Sequence, residues 1–338
     1  MKLIQAFVIA MTTLVATAWP TQAQEVKKLP KIKLAIERGL SFVKEDALKW
    51  RRERECSTCH HGTMTVWAMN EARAQGYAIA PGDLADMTKW TKDRFLKDIG
   101  KPRDARPGWS MVNSSALMLS AMAQAVPKQA SVTHDELKAI AGHLLRHQES
   151  DGSWAWSSAP AKNRPPPFFE SDEVATLLGY MALRPHVKAD LRAKSPEHEV
   201  RVKAAAWLAK QKPNDTTQAA AYRLLVKVRE GEKRLNSDIA DFLRRQNKDG
   251  GWGQLKDSPS DAYATGQALY ILSLAGVKND RAEIQRGVDF LLAIQKRDGS
   301  WPMTRRGHTG VTPGLFSVPI IYFGSTWATL GLMRSSPK

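Results

Sequence analysis

Cysteine and long apolar runs are scarce in this chain. Its 338 residues include two cysteines, both inside residues 56–60, which excludes a fold held together by several disulfides. Beyond the N-terminal segment no stretch approaches the roughly 18 apolar residues of a membrane-spanning helix, and the longest, residues 315–323, is half that length. The sequence therefore predicts no transmembrane helix.

Acidic residues are also fewer than basic residues. The chain has 34 Asp and Glu against 50 Lys and Arg, a net charge of +16. Such a charge suits an acidic partner protein, anionic lipid headgroups or nucleic acid. No nucleic-acid motif is visible, and the basic residues are spread along many helical segments. We predict no nucleic-acid partner, and contact with an anionic membrane surface stays open.

The N-terminus has the features of an export signal. Lys2 precedes an apolar stretch over residues 3–15, and residues 21–23 offer small side chains where a signal peptidase reads. We predict a signal peptide over residues 1–23 and one mature domain over residues 24–338, located in the periplasm or otherwise exported.

Both cysteines belong to the pentapeptide Cys56-Ser57-Thr58-Cys59-His60. This is the spacing at which c-type haem is attached, with thioether bonds from both cysteines and an axial nitrogen from the histidine. His61 adds a second imidazole. Two other interpretations remain open: a disulfide between the cysteines, and a zinc site that uses both cysteines and both histidines.

A repeated motif organises the rest of the chain. The sequences QESDGSW, QNKDGGW and QKRDGSW occupy residues 148–154, 246–252 and 295–301, and their glutamines are separated by 98 and 49 residues. The longer gap is twice the shorter, which indicates an array with a degenerate copy between, at Gln211. In each motif the Gly can end a helix in the left-handed conformation, and the Trp can join one helix pair to the next.

Apolar periodicity predicts six consecutive helix pairs. The first members lie near residues 30–48, 84–98, 134–147, 197–211, 234–246 and 280–295. Their partners lie near residues 63–75, 110–125, 172–184, 215–229, 260–275 and 323–334. The partners are richer in small residues and the first members in charge, which predicts an inner and an outer ring. The predicted fold is all-α, a single (α/α)6 barrel, or toroid.

The three motifs resemble the QW motifs of squalene and oxidosqualene cyclases, whose fold protein prenyltransferases share. More narrowly, the chain resembles exported bacterial squalene-cyclase-like repeat proteins that carry a Cys-x-x-Cys-His-His loop ahead of a Trp-containing helix, here residues 56–67. The resemblance implies one barrel, with the second barrel of the cyclases absent. Cyclisation, prenyl transfer and plain binding all occur on this fold.

The resemblance also implies a position for a catalytic acid. Cyclases of this family carry D-x-D-D at the start of an inner helix, and the nearest match here is Glu170-Ser171-Asp172-Glu173. Asp172 would be the acid that protonates an alkene or epoxide. Glu replaces two of the aspartates, and one barrel lacks the inter-domain cavity of the cyclases. The ordinary alternative is a helix start with Ser171 as N-cap and acidic residues in the first turn.

In such a barrel the connections from outer to inner helices emerge at one end, so we expect the informative residues to collect on one rim. They are Cys56 to His61, Arg103, Arg106, Trp109, Met111, Trp154, Trp156, Phe168, Trp252, Trp301, Met303, Arg305, Arg306 and His308. The arginines could pair with haem propionates, and Met111, His308 or His61 could supply a further iron ligand.

The sequence is consistent with three functions. The first is an exported haem-c protein that transfers electrons or performs redox chemistry beside an apolar cavity, with a redox partner protein or a hydrophobic, isoprenoid-type molecule. The second is a terpenoid cyclase that uses Asp172. The third is a non-catalytic binding scaffold.

Overall fold

The computed structural model describes residues 22–54, 59–99, 116, 120–121, 132–155, 171–184, 195–303 and 317–336. Within these ranges the chain is helical except for its connections and one short antiparallel hairpin, formed by β1 (Trp252–Gly253) and β2 (Ser260–Asp261). The predicted all-α fold is confirmed. The predicted signal segment lies outside these residues except at its end.

The helices follow the predicted pairs. The first members are α1 (Gln22–Arg54), α3 (Pro81–Asp98), α4 (His134–Arg146), α6 (Pro196–Lys210), α8 (Asn236–Leu243) and α10 (Ala282–Ile294). Their partners are a π-helix (Cys59–Met64) that continues into α2 (Thr65–Ala74), then α5 (Asp172–Leu183), α7 (Thr217–Glu230), α9 (Ala262–Leu274) and α11 (Ser317–Ser335). Of the partner predicted over 110–125, the described residues 116, 120 and 121 are helical.

Burial separates the two rings as predicted. Every residue of α9 from Ala262 to Leu272 is buried, whereas α6 buries Ala204 alone along its whole length. A helix surrounded by neighbours is apolar on all sides, and a helix at the surface buries one stripe. The partners therefore form the inner ring and the first members the outer ring.

Several helices begin at a residue whose side chain accepts a hydrogen bond from a backbone N–H of the first turn. The hydroxyl of Thr133 accepts a hydrogen bond from Glu136 N, and the Glu136 carboxylate accepts one from Thr133 N, a complete capping box on α4. Ser171, Thr216 and Asp261 cap α5, α7 and α9 in the same way with one bond each.

The QW-type motifs join consecutive repeats through one set of contacts that occurs three times. In the first motif the indole Nε1 of Trp154 donates to Leu144 O at 2.9 Å, and its backbone N–H donates to Thr176 Oγ1 at 3.0 Å. Gln148 Nε2 donates to Val200 O of the next outer helix at 2.8 Å. The motif thus links its own outer helix, its inner partner and the following pair, and the bond to the following pair comes from the Gln. In the second and third motifs the Trp ring also lies against a glycine of the following outer helix, Gly287 for Trp252 and Gly39 for Trp301, as predicted.

The last motif closes the ring. Gln295 Nε2 donates to Ala35 O in α1 at 2.9 Å, although 260 residues separate the two in sequence. Gly299, with φ +90°, lies so close to the backbone of Arg38 that an added Cβ would overlap its carbonyl group. Lys28 of α1 also bonds Gln285 Oε1 of α10 at 2.7 Å. The last repeat therefore docks on the first as the middle repeats dock on each other.

Gln211, predicted as the degenerate copy, does not make these contacts. It caps the C-terminus of α6 with an exposed side chain. Trp207 Nε1 of α6 donates to Asp151 Oδ2 of the preceding motif at 3.0 Å, which adds a contact to the joint that the preceding motif forms.

Candidate functional site

The N-terminal ends of the inner helices meet at one end of the toroid, and we call this end the rim. Gln218 Nε2 of α7 donates to the Tyr263 hydroxyl of α9 at 2.5 Å. The Tyr263 ring contacts Phe323 of α11 edge to face at 6.3 Å between centroids, and Phe323 contacts His60 of the π-helix at 6.2 Å. A chain of polar and aromatic side chains therefore runs along the rim from α7 to the π-helix.

The two histidines of the Cys-x-x-Cys-His-His segment lie side by side in the interior. His60 is 2% exposed and His61 is 0% exposed. Their Nδ1 atoms are in hydrogen-bond contact with each other, and His61 Nε2 lies 2.9 Å from Asp46 Oδ2 of α1. The three side chains form a continuous series of polar contacts, Asp46 to His61 to His60, which we call the Asp-His-His series.

The His61 ring is fixed in its orientation by two aromatic neighbours. It stacks on Trp50 of α1 with centroids 4.4 Å apart and planes 5° apart, and the Tyr322 ring of α11 lies 3.8 Å away on a tilted plane. The Tyr322 hydroxyl donates to Val43 O at 3.1 Å. The ring of His61 is thus held between the first outer helix and the last inner helix.

The π-helix is what brings both histidines into this position. Its wider turn spans residues 59–64 and leads directly into α2, and such turns occur often at functional sites. The Thr65 hydroxyl donates to His61 O at 2.5 Å, which satisfies a carbonyl at the junction of the π-helix and α2. Consecutive histidines therefore both face inward.

Burial keeps both rings neutral. It lowers the pKa of His61 to about 3 and, together with the neighbouring His61, holds the pKa of His60 well below its usual value. A neutral imidazole is the form that binds metals. The pKa of Asp46 is raised by partial burial and lowered by nearby Lys49, with the first influence larger.

Many of the predicted rim residues lie outside the described part of the chain. They are Cys56, Arg103, Arg106, Trp109, Met111, Trp156, Phe168, Glu170, Arg305, Arg306 and His308. Cys59 begins the π-helix, but its side chain is also outside the description. Among the described side chains no group of three or more His, Cys, Asp or Glu is arranged to hold a metal ion.

The acidic segment at α5 is described from Ser171 onward. The Ser171 hydroxyl accepts a bond from Val174 N as N-cap, and Asp172 is partly exposed in the first turn. Glu173 is 8% exposed; it pairs with Arg223 at 2.5 Å and accepts a hydrogen bond from Asn214 N at 2.7 Å. Glu173 is therefore engaged in joining α5 to α7, and Asp172 lies next to it in the first turn of α5.

The described tryptophans of the motifs are structural, as their contacts in the fold require. Trp154, Trp252 and Trp301 are each 0% exposed, and Met303 is 5% exposed. None of these four side chains can present a face to a ligand without a rearrangement.

Aromatic side chains of the described inner helices contact one another inside the ring. Trp67 of α2 donates from Nε1 to the Tyr270 hydroxyl at 3.2 Å, and Trp327 of α11 contacts both rings. Tyr222 and Gln267 are also buried.

Sequence reasoning missed Asp46, Trp50, Tyr322, Gln218 and Tyr263. One signal was available for Asp46, because an acidic residue lies beside the buried stripe of α1 that includes Ile36, Val43 and Ala47. A carboxylate next to an apolar stripe needs a partner. The sequence does not indicate which residue that partner is.

Within the part of the chain that has been described, none of the helices combines the length and the hydropathy needed to cross a membrane. This agrees with the expectation from the sequence.

The comparisons with known proteins agree with the architecture. Residues 217–335 match the family model of the squalene-hopene cyclase C-terminal domain. Squalene–hopene cyclase of Bradyrhizobium diazoefficiens is 39% identical over 83 residues, which are 21% of this chain and 12% of that enzyme. The enzyme of Zymomonas mobilis is 26% identical over 211 residues, which are 56% of this chain and 22% of that enzyme. The chain thus aligns with less than a quarter of either relative.

Among solved structures, the type II terpene cyclase MstE from Scytonema, in complex with geranylgeranyl dihydroxybenzoate, superposes with a TM-score of 0.58 at 14% identity. The superposition covers 92% of this chain and 99% of that one. The fold of this protein is that of a squalene cyclase-like, all-α toroid.

Proposed function

We propose that this toroid binds a hydrophobic, isoprenoid-type molecule at its rim and acts on it in the manner of a terpene cyclase. The observation that carries the proposal is the polar and aromatic series across neighbouring inner helices, Gln218, Tyr263 and Phe323, at the rim. Each of these residues is 2% exposed, so a ligand would reach them only after the side chains that cover them have moved. Aromatic faces attract cationic groups, and hydrocarbon ligands gain from burial against them. The likeness to a terpene cyclase of similar extent supports the same conclusion.

Asp172 is the acid of this proposal. Asp172, protonated from solvent, would transfer its carboxyl proton to an alkene carbon or an epoxide oxygen of the substrate, leaving a carbocation and the Asp172 carboxylate; loss of a proton from the final carbocation, or capture of water by it, would complete the reaction. The N-terminus of α5 stabilises that carboxylate as it forms, because the first-turn N–H groups carry partial positive charge. The neighbouring carboxylate of Glu173 is paired with Arg223. Because that pair has no net charge, it does not repel the negative charge that develops on Asp172.

The test is turnover of an isoprenoid by the purified protein, with squalene and a geranylgeranyl derivative as substrates and products identified by mass spectrometry. Asp172→Asn should lower turnover by about 100-fold or more, the usual contribution of a general acid. Asp135→Asn is the matched control, because Asp135 is also a first-turn acid but lies on an outer helix. Equal loss in both variants, or binding of neither substrate, would contradict the proposal.

A second function is favoured by the Asp-His-His series, namely covalent haem c. If the Asp46 carboxylate accepts from His61 Nε2, then His61 Nδ1 is an acceptor, His60 Nδ1 carries a hydrogen, and the lone pair of His60 is on Nε2. That tautomer of a buried, neutral histidine fits an axial iron ligand. Cys56 and Cys59 would hold the group by thioethers, and when bound it would supply a redox-active iron next to the hydrophobic rim.

Arg103, Arg106, Arg305 and Arg306 remain the proposed partners of the propionates, and Met111 or His308 the proposed further ligand. His61 suits that role less well, because both of its ring nitrogens are engaged by His60 and Asp46. For the same reason a zinc site that uses both histidines would require the Asp-His-His series to break. Covalent haem also requires export, so the signal peptide over residues 1–23 and the periplasmic location belong to this second proposal.

Expression of the full precursor together with a cytochrome c maturation system tests this second function. A red protein is expected whose Soret absorbance survives acid–acetone extraction, and Cys59→Ala should abolish normal attachment. Ser57→Ala is the control, because it leaves both cysteines and His60 in place. A colourless wild-type protein would rule out haem; bound zinc or a mass lower by two hydrogens would then identify a zinc site or a disulfide.

A further inference from the structure

We propose that Gln267 on α9 binds the polar head group of the ligand, and that this head group is neutral and has both a hydrogen-bond donor and an acceptor, as a primary alcohol does. The inference rests on the first proposed function, because it takes an isoprenoid as the ligand. It adds that a bare hydrocarbon such as squalene is not the preferred isoprenoid.

Gln267 has a buried carboxamide without hydrogen bonds. The residue is 0% exposed, and neither its Nε2 nor its Oε1 has a hydrogen-bond partner among the residues that the structure describes. A carboxamide offers two N–H donors and a carbonyl acceptor, and burying such groups without a partner costs free energy. A bound molecule that pairs with the amide removes this cost.

The spacing of residues along α9 places Gln267 on the face that points toward the axis of the ring. Tyr263, Gln267 and Tyr270 are separated by four and three residues, so they share one face of the helix. Tyr270 reaches α2, which is not adjacent to α9 in the ring, because its hydroxyl accepts a hydrogen bond from Trp67 Nε1 at 3.2 Å. Leu269, on the far side of α9, lies against the outer helix α10. The Gln267 side chain is thus directed among the inner helices.

Polar contacts are made on both sides of Gln267 along this face. Nearer the rim, Gln218 Nε2 of α7 donates to the Tyr263 hydroxyl at 2.5 Å, and deeper in the ring Trp67 donates to Tyr270. Gln267 follows Tyr263 by four residues, which is about 6 Å along the helix. Because Tyr263 is 2% exposed, a ligand would pass it only after the side chains that cover it have moved. Gln267 is the next polar side chain on this face of α9 that the ligand would then meet.

The surroundings of Gln267 favour a neutral head group. Burial, reinforced by Glu71, raises the pKa of Tyr270 to about 12, and burial also raises the pKa of Tyr222 on α7. An interior that keeps phenols neutral also penalises an anion such as a diphosphate. A hydroxyl group can both accept from Nε2 and donate to Oε1. With its hydroxyl at Gln267, the ligand would extend its hydrocarbon chain toward the rim, where α5 begins with Asp172.

The experiment measures equilibrium binding of two ligands to the purified full chain. They are geranylgeraniol and the hydrocarbon in which hydrogen replaces its hydroxyl group, both delivered from cyclodextrin. The wild-type protein should bind the alcohol about 10- to 100-fold more tightly, because the hydrocarbon leaves the amide of Gln267 unpaired. Gln267→Met keeps a side chain of similar length without the amide. This variant should lose the preference and bind the hydrocarbon at least as tightly as the wild-type protein does.

Gln211→Met is the matched control, because Gln211 is exposed at the end of α6, and it should keep the preference for the alcohol. Urea denaturation without ligand separates a binding role from a structural one. The midpoint of Gln267→Met should equal or exceed that of the wild-type protein, since the substitution removes an unpaired polar group.

Two outcomes would count against the inference, and they differ. Equal binding of both ligands by the wild-type protein, with a lower urea midpoint in Gln267→Met, would show that the amide is a structural group. That result would overturn the role of Gln267 and leave isoprenoid binding intact. Binding of neither ligand by the wild-type protein would refute the first proposed function and this inference with it.

Discussion

Replacement of Arg334 by methionine is expected to lower the free energy of unfolding by about 3–5 kcal/mol, because it leaves a buried carboxylate without its cation. That carboxylate belongs to Glu71, which is 1% exposed, and its Oε1 lies 2.6 Å from Arg334 Nε. Gln75 Nε2 and the Tyr270 hydroxyl donate to the same carboxylate at 2.9 and 3.3 Å. These neutral donors hydrogen-bond the charge but do not compensate it.

Urea denaturation followed by far-UV circular dichroism measures the change. Arg281→Met is the matched control, because Arg281 pairs with Glu283 at 2.9 Å but is 49% exposed on its side chain, and exposed pairs contribute about 0–1 kcal/mol. Adding Glu71→Gln to Arg334→Met should recover much of the loss, since the unpaired buried charge of Glu71 is then gone as well. A loss in Arg334→Met no larger than in Arg281→Met would show that Glu71 is not held as a buried ion.

This ion pair lies at the end of the inner ring opposite the rim, and it joins the first inner helix to the last. Glu71 is on α2 and Arg334 on α11, helices at opposite ends of the chain. Gln295, which follows α10 in the last repeat, donates a hydrogen bond to Ala35 O of α1. Closure of the toroid therefore depends on polar contacts in two places as well as on the apolar core.

The sequence predicted the rings because the features that form them are local. Apolar spacing of 3.6 residues identifies a helix, and the richness in small residues of the segments that became α9 and α11 separates inner from outer helices. The QW-type motifs could be recognised equally well, since each one contains both its own turn and the Gln and Trp that contact neighbouring helices. Such features can be recognised without knowing any distant partner.

The candidate site could be predicted only in part, because its contacts join residues far apart in the chain. The sequence indicates His60 and His61 by their place after two cysteines. It does not show that Asp46 on the preceding helix and Tyr322 near the C-terminus converge on His61. The π-helix that turns both histidines inward likewise depends on tertiary packing rather than on residue preference.

For the acidic segment at the start of α5, the structure gives one of the candidate acids a structural role. The sequence offered three acids, Glu170, Asp172 and Glu173, as equivalents of one catalytic motif. The structure describes the last two and pairs Glu173 with Arg223, so that its carboxylate serves the joint between α5 and α7. The spacing of these acids in the sequence does not show that one of them holds two helices together.

Gly266→Val is expected to have an effect comparable to loss of the buried ion pair, because Gly266 is where the backbones of α9 and α11 touch. A Cβ added at Gly266 would overlap the carbonyl group of Trp327, and a Cβ added at Gly331 would lie 2.7 Å from Gly266 O. These neighbours are backbone atoms, so rotation of a side chain cannot make room, and the two helices would have to separate. Since overpacking costs about 1–3 kcal/mol even where side chains can adjust, we expect a loss of at least about 3 kcal/mol here.

Gly82→Ala provides the comparison, because a Cβ at Gly82 meets no atom within 4 Å and the residue lies in the first turn of α3. Alanine is a better helix former than glycine, so this control should leave the unfolding free energy unchanged or raise it by up to about 1 kcal/mol. Chemical denaturation of the two variants beside the wild-type protein measures both effects. A Gly266→Val protein as stable as the Gly82→Ala control would mean that α9 and α11 do not approach through their backbones, and the inner ring would then have to close in some other way. Because α9 and α11 also supply Tyr263 and Phe323 to the rim, separation of these helices should weaken isoprenoid binding in parallel with the loss of stability.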